Sequence, residues 1–155
     1  RIIIGDTLYE KFSADEVEAV FAHELGHQVH NDLWKGIIFS SLLMFVAFYS
    51  ANLVAHEYLF GLLQTEISRP YGLLLFFIVL TLVQMPMGAL QAAFSRWRER
   101  DADKFAAETI GTGPKLADAL ERLTIQNRGQ FRPNPIMEVL SYSHPAPWRR
   151  ILSLR

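Results

Sequence analysis

Two uncharged runs constrain this chain more than anything else in it. Gly36 to Ala55 holds 20 consecutive residues without Asp, Glu, Lys or Arg, and Pro70 to Ser95 holds 26. Ile, Leu, Phe, Met and Val dominate both. A helix of about 20 apolar residues crosses a hydrocarbon layer of about 30 Å, so each run is long enough to span a bilayer. Two buried core helices would have the same composition, but a chain of 155 residues leaves too little other material to wrap them. The runs are therefore read as transmembrane helices over 36–55 and 71–95, paired as a hairpin, with Pro86 and Gly88 tolerated in the second as a kink. The connecting stretch, His56 to Arg69, carries only Arg69 against Glu57 and Glu66. The outer flanks carry Lys35, Arg96, Arg98, Arg100 and Lys104. By the positive-inside rule the loop lies outside and both flanks lie in the cytoplasm. An integral, multi-pass membrane protein is expected, in contact with the lipid bilayer.

The chemistry lies on those flanks. Ser13 followed by Glu16 makes a capping box, which starts a helix near Ala14. Val17, Val20 and Phe21 keep helical spacing, and the helix is expected to run to about Asp32. It carries Ala22-His23-Glu24-Leu25-Gly26-His27, an H-E-x-x-H signature. Residues four apart lie above one another on a helix, so His23 and His27 can offer two imidazoles to one Zn²⁺. Glu24, rotated by about 100°, flanks the metal and suits a general base. The chain has no cysteine, which excludes thiolate ligands and disulfides and leaves histidine and carboxylate as the available ligands. A net charge of −1 gives no general attraction to nucleic acid.

Two imidazoles and an open position for water leave one ligand to find. Glu99 is the candidate, on the helix that continues from the second run through Asp103. Asp103 is four residues on and can accept from a ligand histidine's other ring nitrogen. Standing alone, Glu99 and Asp103 would read as a solvated face paired with Arg96 and Arg100; beside an H-E-x-x-H they read as part of a metal site. His30 shares the face of His23, but seven residues put it about 10 Å further along the axis, too far for a shared ion. His56 has no partner at useful spacing. His144, held out of the α region by Pro145, can donate to an oxyanion, although a histidine before proline is usually a plain loop residue.

The rest of the chain is punctuated simply. Ile2 to Ile4 reads as a short strand. Gly111-Thr112-Gly113-Pro114 breaks one helix and starts the next, whose core face is Leu116, Leu120 and Leu123. Arg132 to Pro135 reads as a loop, and a last short helix follows Pro147 with Ile151 and Leu154 inward. Arg1-Ile-Ile-Ile has neither an initiator Met nor a signal-peptide layout, so the chain is read as a piece of a longer protein, a single domain fragment over 1–155.

Taken together these residues resemble the catalytic part of the integral-membrane zinc metalloproteases that comprise the type I CAAX prenyl proteases and the HtpX heat-shock proteases. The resemblance rests on Asp6-Thr7-Leu8 with Asp15 to Val20, on Ala22 to His27, on Ser95-Arg96-x-x-Glu99-x-x-Ala102-Asp103, and on Ser143-His144-Pro145 with Arg150-Ile151. It implies a mainly α, zincin-like (gluzincin) fold with a transmembrane hairpin inserted between the two metal-bearing helices and minor β structure at the N-terminus. It implies one Zn²⁺ held by His23, His27 and Glu99, with Glu24 as base and Asp103 behind the ligands. His144 and Arg150 would help bind substrate or stabilise the transition state. The His-Glu-Leu-Gly-His and Ser-His-Pro segments are closer to the CAAX side, which implies removal of a C-terminal tripeptide from a prenylated cysteine. The HtpX side implies endoproteolysis of membrane proteins. A rival of another class is a non-catalytic membrane module with a structural zinc, for which Glu24 would have no use; a third is a soluble helical protein with a chance motif.

Overall fold

The computed structural model describes residues 10–155. The expected strand at Ile2–Ile4 and the Asp6-Thr7-Leu8 segment lie outside the described residues. Among the described residues the structure is helical and has no strand. The described residues divide into two compact units, one drawing on those up to Lys35 and on Ala92–Arg155, the other formed by Gly36–Gln91.

In the first unit, helix α1 spans Ala14–Val29. Its start is the expected capping box: Ser13 Oγ accepts from the Glu16 amide at 3.3 Å, and the Glu16 carboxylate accepts from the Ser13 amide at 2.7 Å. Arg122 donates to the same carboxylate at 2.7 Å. Burial alone would pull the Glu16 carboxyl up, but the Ser13 amide, Arg122 and the Ser13 hydroxyl together hold it below its ordinary value. The helix ends at Val29, three residues before the expected Asp32. Asn31 adopts φ 55°, the left-handed conformation that asparagine tolerates better than most residues, and this turn re-aims the chain so that Asp32 opens a new helix.

That helix, α2, spans Asp32–Val54 and runs on through a π-helical turn at Ala55–Phe60. Helix α3 spans Pro70–Lys104, contains Pro86, and runs into a second π-helical turn at Phe105–Ile110. The loop expected from His56 therefore begins only at residue 63. Nothing between His56 and Phe60 breaks a helix, and Tyr58, Leu59 and Phe60 extend the apolar pattern up to Gly61. Within the second unit the two helices meet through Ala47, Ala51 and Ala55, at most 1% exposed, against Phe76, Val79 and Leu80. Small residues at every fourth position let helix backbones approach closely, as in membrane helix pairs. The outward faces are apolar: Ile38, Phe45, Leu62 and Leu74 are all more than 60% exposed. Both helices are long and apolar enough to cross a membrane, and only 11% and 17% of their most apolar stretches are buried. A soluble core helix would be mostly buried, so the third reading fits this hairpin poorly.

Gly111, at φ 80°, closes the second π turn. Helix α4 then spans Gly113–Gln126, with proline in its first turn as expected. Helix α6, after α5 at Pro135–Ser141, spans Pro147–Leu154. Leu116 and Leu154 pack with Ala19, Ala22, Ala106 and Ala117 as the core of the first unit, and Ile151 and Leu120 pack against it. Helix α5 stands where no helix was expected. Asn134 caps it by accepting from the Ile136 amide at 2.9 Å, and Pro135 provides the preset first position.

Candidate active site

The site rests on a close crossing of α1 with the charged end of α3. Gly26 makes the approach possible: a Cβ there would meet the Ala102 Cα at 3.0 Å and the Phe105 Cβ at 3.3 Å. On either side of this contact α1 presents His23 and His27, and α3 presents Glu99 and Asp103.

His23 Nε2 lies 3.6 Å from Glu99 Oε2, and His27 Nε2 lies 3.4 Å from Glu99 Oε1. The imidazoles stand nearly perpendicular with centroids 4.8 Å apart. One ligand atom from each of the three residues falls within a 4.8 Å set. Four ligands at the 2.0–2.1 Å bond lengths of zinc sit about 3.3 Å from one another in a tetrahedron; the two histidine–Glu99 separations are close to that, and the set as a whole, 4.8 Å across, would draw in around an ion. Among the described residues these three form the group of histidines and carboxylates that could hold a metal ion.

Around this cluster lies a ring of charge. Asp103 Oδ1 is 3.0 Å from His23 Nδ1, within hydrogen-bond reach but poorly aligned for one. Asp32 Oδ2 is 2.7 Å from His27 Nδ1. Each histidine thus has a carboxylate behind it; the hydrogen bond to Asp32 favours the His27 tautomer that leaves Nε2 free to ligate, and Asp103 is placed to do the same for His23 once the two align. Asp32 was missed from the sequence because it is five residues after His27, an offset that never meets on one helix; the signal was Asn31, a residue suited to end α1 and turn Asp32 back. His30 stacks edge-on with Phe105, centroids 5.8 Å apart, and joins neither group.

Arg150 is 8% exposed. Its Nε and Nη2 donate to the two Asp103 oxygens at 2.7 Å each, and Nη1 is 3.2 Å from Glu99 Oε2. Burial would push this guanidinium down, but Asp103 first, then Glu99 and Glu24, raise it. Arg150, expected to help bind substrate or stabilise the transition state, thus has its Nε, Nη1 and Nη2 each facing a carboxylate of the site. His144 is on the opposite footing: its side chain is 62% exposed, with Nδ1 3.0 Å from Glu99 Oε2. Glu24 is exposed on α1, next to His23.

The hydrogen bond to Glu99 raises the His27 imidazole to about 9, against burial and with help from Asp32. A group whose pKa is raised on folding adds stability below its unfolded value near 6.5, and that stability is lost as the pH climbs to about 9. Chelator-treated protein should therefore melt roughly 5–10 °C lower at pH 9 than at pH 6.5. Zinc competes with the same proton, so the melting increment from added zinc should grow over that window. Differential scanning calorimetry with and without zinc checks both signs, and an increment that shrinks with pH would remove His27 from the ligand set.

The model of peptidase family M48 matches residues 1–155. CAAX prenyl protease 1 of Saccharomyces cerevisiae is 29% identical over 171 aligned positions, covering 99% of this chain and 38% of that protein. CAAX prenyl protease 1 homolog of Oryza sativa subsp. japonica is 34% identical over 158, covering 99% and 37%. Protease HtpX of Pseudomonas paraeruginosa is 34% identical over 131, covering 79% and 42%. Among solved structures, S. mikatae Ste24p superposes with a TM-score of 0.80 at 30% identity, over 100% of this chain and 39% of that one. The chain spans about two-fifths of the length of these relatives.

Proposed function

Because this chain belongs to peptidase family M48, we propose that it is the catalytic part of a membrane-embedded zinc endopeptidase of the CAAX prenyl protease kind. One observation carries the reading: His23, His27 and Glu99, brought from two helices on either side of the apolar hairpin, present their ligating atoms within 4.8 Å of one another. In this reading His23, His27 and Glu99 hold one zinc ion, and the hairpin over 36–55 and 71–95 crosses the bilayer of a multi-pass protein. The basic flanks favour a site on the cytoplasmic side, where it would meet a peptide or protein substrate.

Zinc, when bound, supplies Lewis acidity toward water and the scissile carbonyl. The residues do the rest. Glu24 takes a proton from the attacking water and returns it to the departing amine, a role open to a carboxylate at the rim of the site. His144 donates to the carbonyl oxygen as negative charge builds there. Arg150 and Asp103 position the ligands: the pair lies against Glu99 on one side and His23 on the other. A purely structural zinc would leave Glu24 and His144 without work, which weighs against the non-catalytic rival.

Substrate class is read by direct comparison. A farnesylated peptide ending in a CAAX sequence should be cut after the prenylated cysteine, at least 10-fold faster in kcat/KM than its unlipidated twin, since a buried lipid tail contributes about 0.8 kcal/mol per CH₂. Mass spectrometry of the products identifies the bond. Equal rates on the two peptides, with cleavage of an unlipidated membrane protein, would favour the HtpX-like alternative.

A further inference from the structure

We infer that Arg96 and Glu138 form a two-point clamp on the loop that carries His144, and so are positioning residues for the transition-state donor. The inference rests on the proposed role of His144. With a side chain 62% exposed, His144 is not held by packing. Its aim depends on its backbone, and that backbone is pinned at both ends.

Arg96 pins the near end. It lies on α3 one turn before Glu99, so both face the loop. Its Nη1 donates to the Glu138 carbonyl at 2.9 Å and to the Tyr142 carbonyl at 2.7 Å, and its Nη2 donates to the Val139 carbonyl at 3.2 Å. The Glu138 and Val139 carbonyls belong to the last turn of α5, whose acceptors have no partner inside the helix. A guanidinium there satisfies them and complements the negative end of the helix dipole. Tyr142 is two residues before His144.

Glu138 pins the far end. Its side chain is buried, and its Oε1 accepts from the Ala146 amide at 3.0 Å. Ala146 is fully buried and caps α6, and its own carbonyl accepts from the Arg149 amide at 2.9 Å. Only Ser143, His144 and Pro145 remain between the pins, and Pro145 fixes its own φ and restricts that of His144. The loop therefore has few conformations to lose when His144 meets an oxyanion. His144 Nδ1 and Arg96 are tied to the same helix, one through Glu99 and the other directly, so the donor moves with the ligand beside it.

The test compares Arg96→Met, Arg96→Lys, Glu138→Leu and Glu138→Gln with His144→Ala, alone and combined, in purified protein in detergent. The assay substrate is the farnesylated peptide, or casein if only that is cut. Arg96→Met and Glu138→Leu should each lower kcat by roughly 10-fold or more, within the loss that follows removal of one oxyanion donor, while KM stays within about twofold. Glu138→Gln keeps an acceptor for Ala146 and should restore most of the rate; Arg96→Lys keeps the charge without the fork and should restore part. Zinc content should match the parent throughout, and amide exchange over 142–146 should rise in the two damaging variants. In a His144→Ala background, Arg96→Met should cost less than about twofold more, because a residue acting only through His144 has nothing left to position. If His144→Ala itself costs nothing, the role of His144 fails, whatever the clamp does. If His144→Ala is slow but Arg96→Met is as fast as the parent, loses zinc, or multiplies its full penalty onto His144→Ala, the clamp is overturned.

Discussion

Glu24→Gln should leave the protein folded, loaded with zinc and nearly inactive. Glutamine has the shape of glutamate and cannot accept the proton, so the loss expected is that of a general base, about 10²–10⁴-fold in kcat. The residue is exposed on α1, so no buried charge is stranded by the change. Arg150 loses a nearby negative charge but keeps its hydrogen bonds to Asp103 at 2.7 Å. A stability change beyond about 0.5 kcal/mol is therefore not expected. Zinc by metal analysis, melting temperature by calorimetry and kcat on the peptide substrate give three readings with different answers. Parent-like turnover would mean that Glu24 is not the base. Loss of zinc would mean that it is a ligand, which its place one residue from His23 on the helix argues against.

Much of this site could be read from local spacing, and its limits follow from what local spacing omits. The i, i+4 pair His23 and His27 and the i, i+4 pair Glu99 and Asp103 each lie on one helix face, so periodicity alone put them together. The capping box at Ser13, the break at Gly111 and the start at Pro114 were legible because each depends on residues a few positions apart. Asp32 was not, since its approach to His27 requires the left-handed Asn31. Arg96 was not, because its partners are main-chain carbonyls 42 to 46 residues away, and any residue type supplies a carbonyl. The burial of Arg150 was also hidden, because its partners Asp103 and Glu99 lie far from it in sequence. Hairpin pairing was legible from composition, whereas the helical continuation past His56 was not, since no stop residue occurs there before Gly61.

Glu99→Ala should produce the largest loss of all, because one side chain serves the proposed metal and four cations or imidazoles at once. Its oxygens lie 3.6 and 3.4 Å from His23 and His27, 3.0 Å from His144 and 3.2 Å from Arg150. Removal takes away one of the three protein ligands, so the fall in zinc affinity should exceed the 10–100-fold that follows loss of an outer partner such as Asp103. It also leaves the buried Arg150 with Asp103 alone, and lowers the pull that keeps His27 protonated. The two effects separate cleanly. Comparison of Glu99→Ala with chelator-treated parent isolates the structural cost, and zinc titration of both isolates the metal. Glu99→Gln distinguishes them further, since it keeps the volume and an oxygen while removing the charge that a divalent cation needs. His30→Ala is the control: just past the end of α1, packed on Phe105 and outside the cluster, it should bind zinc as the parent does. If Glu99→Ala retains one zinc per chain at parental affinity, the third ligand is some other group, and the convergence of α1 and α3 at Gly26 serves packing instead of catalysis.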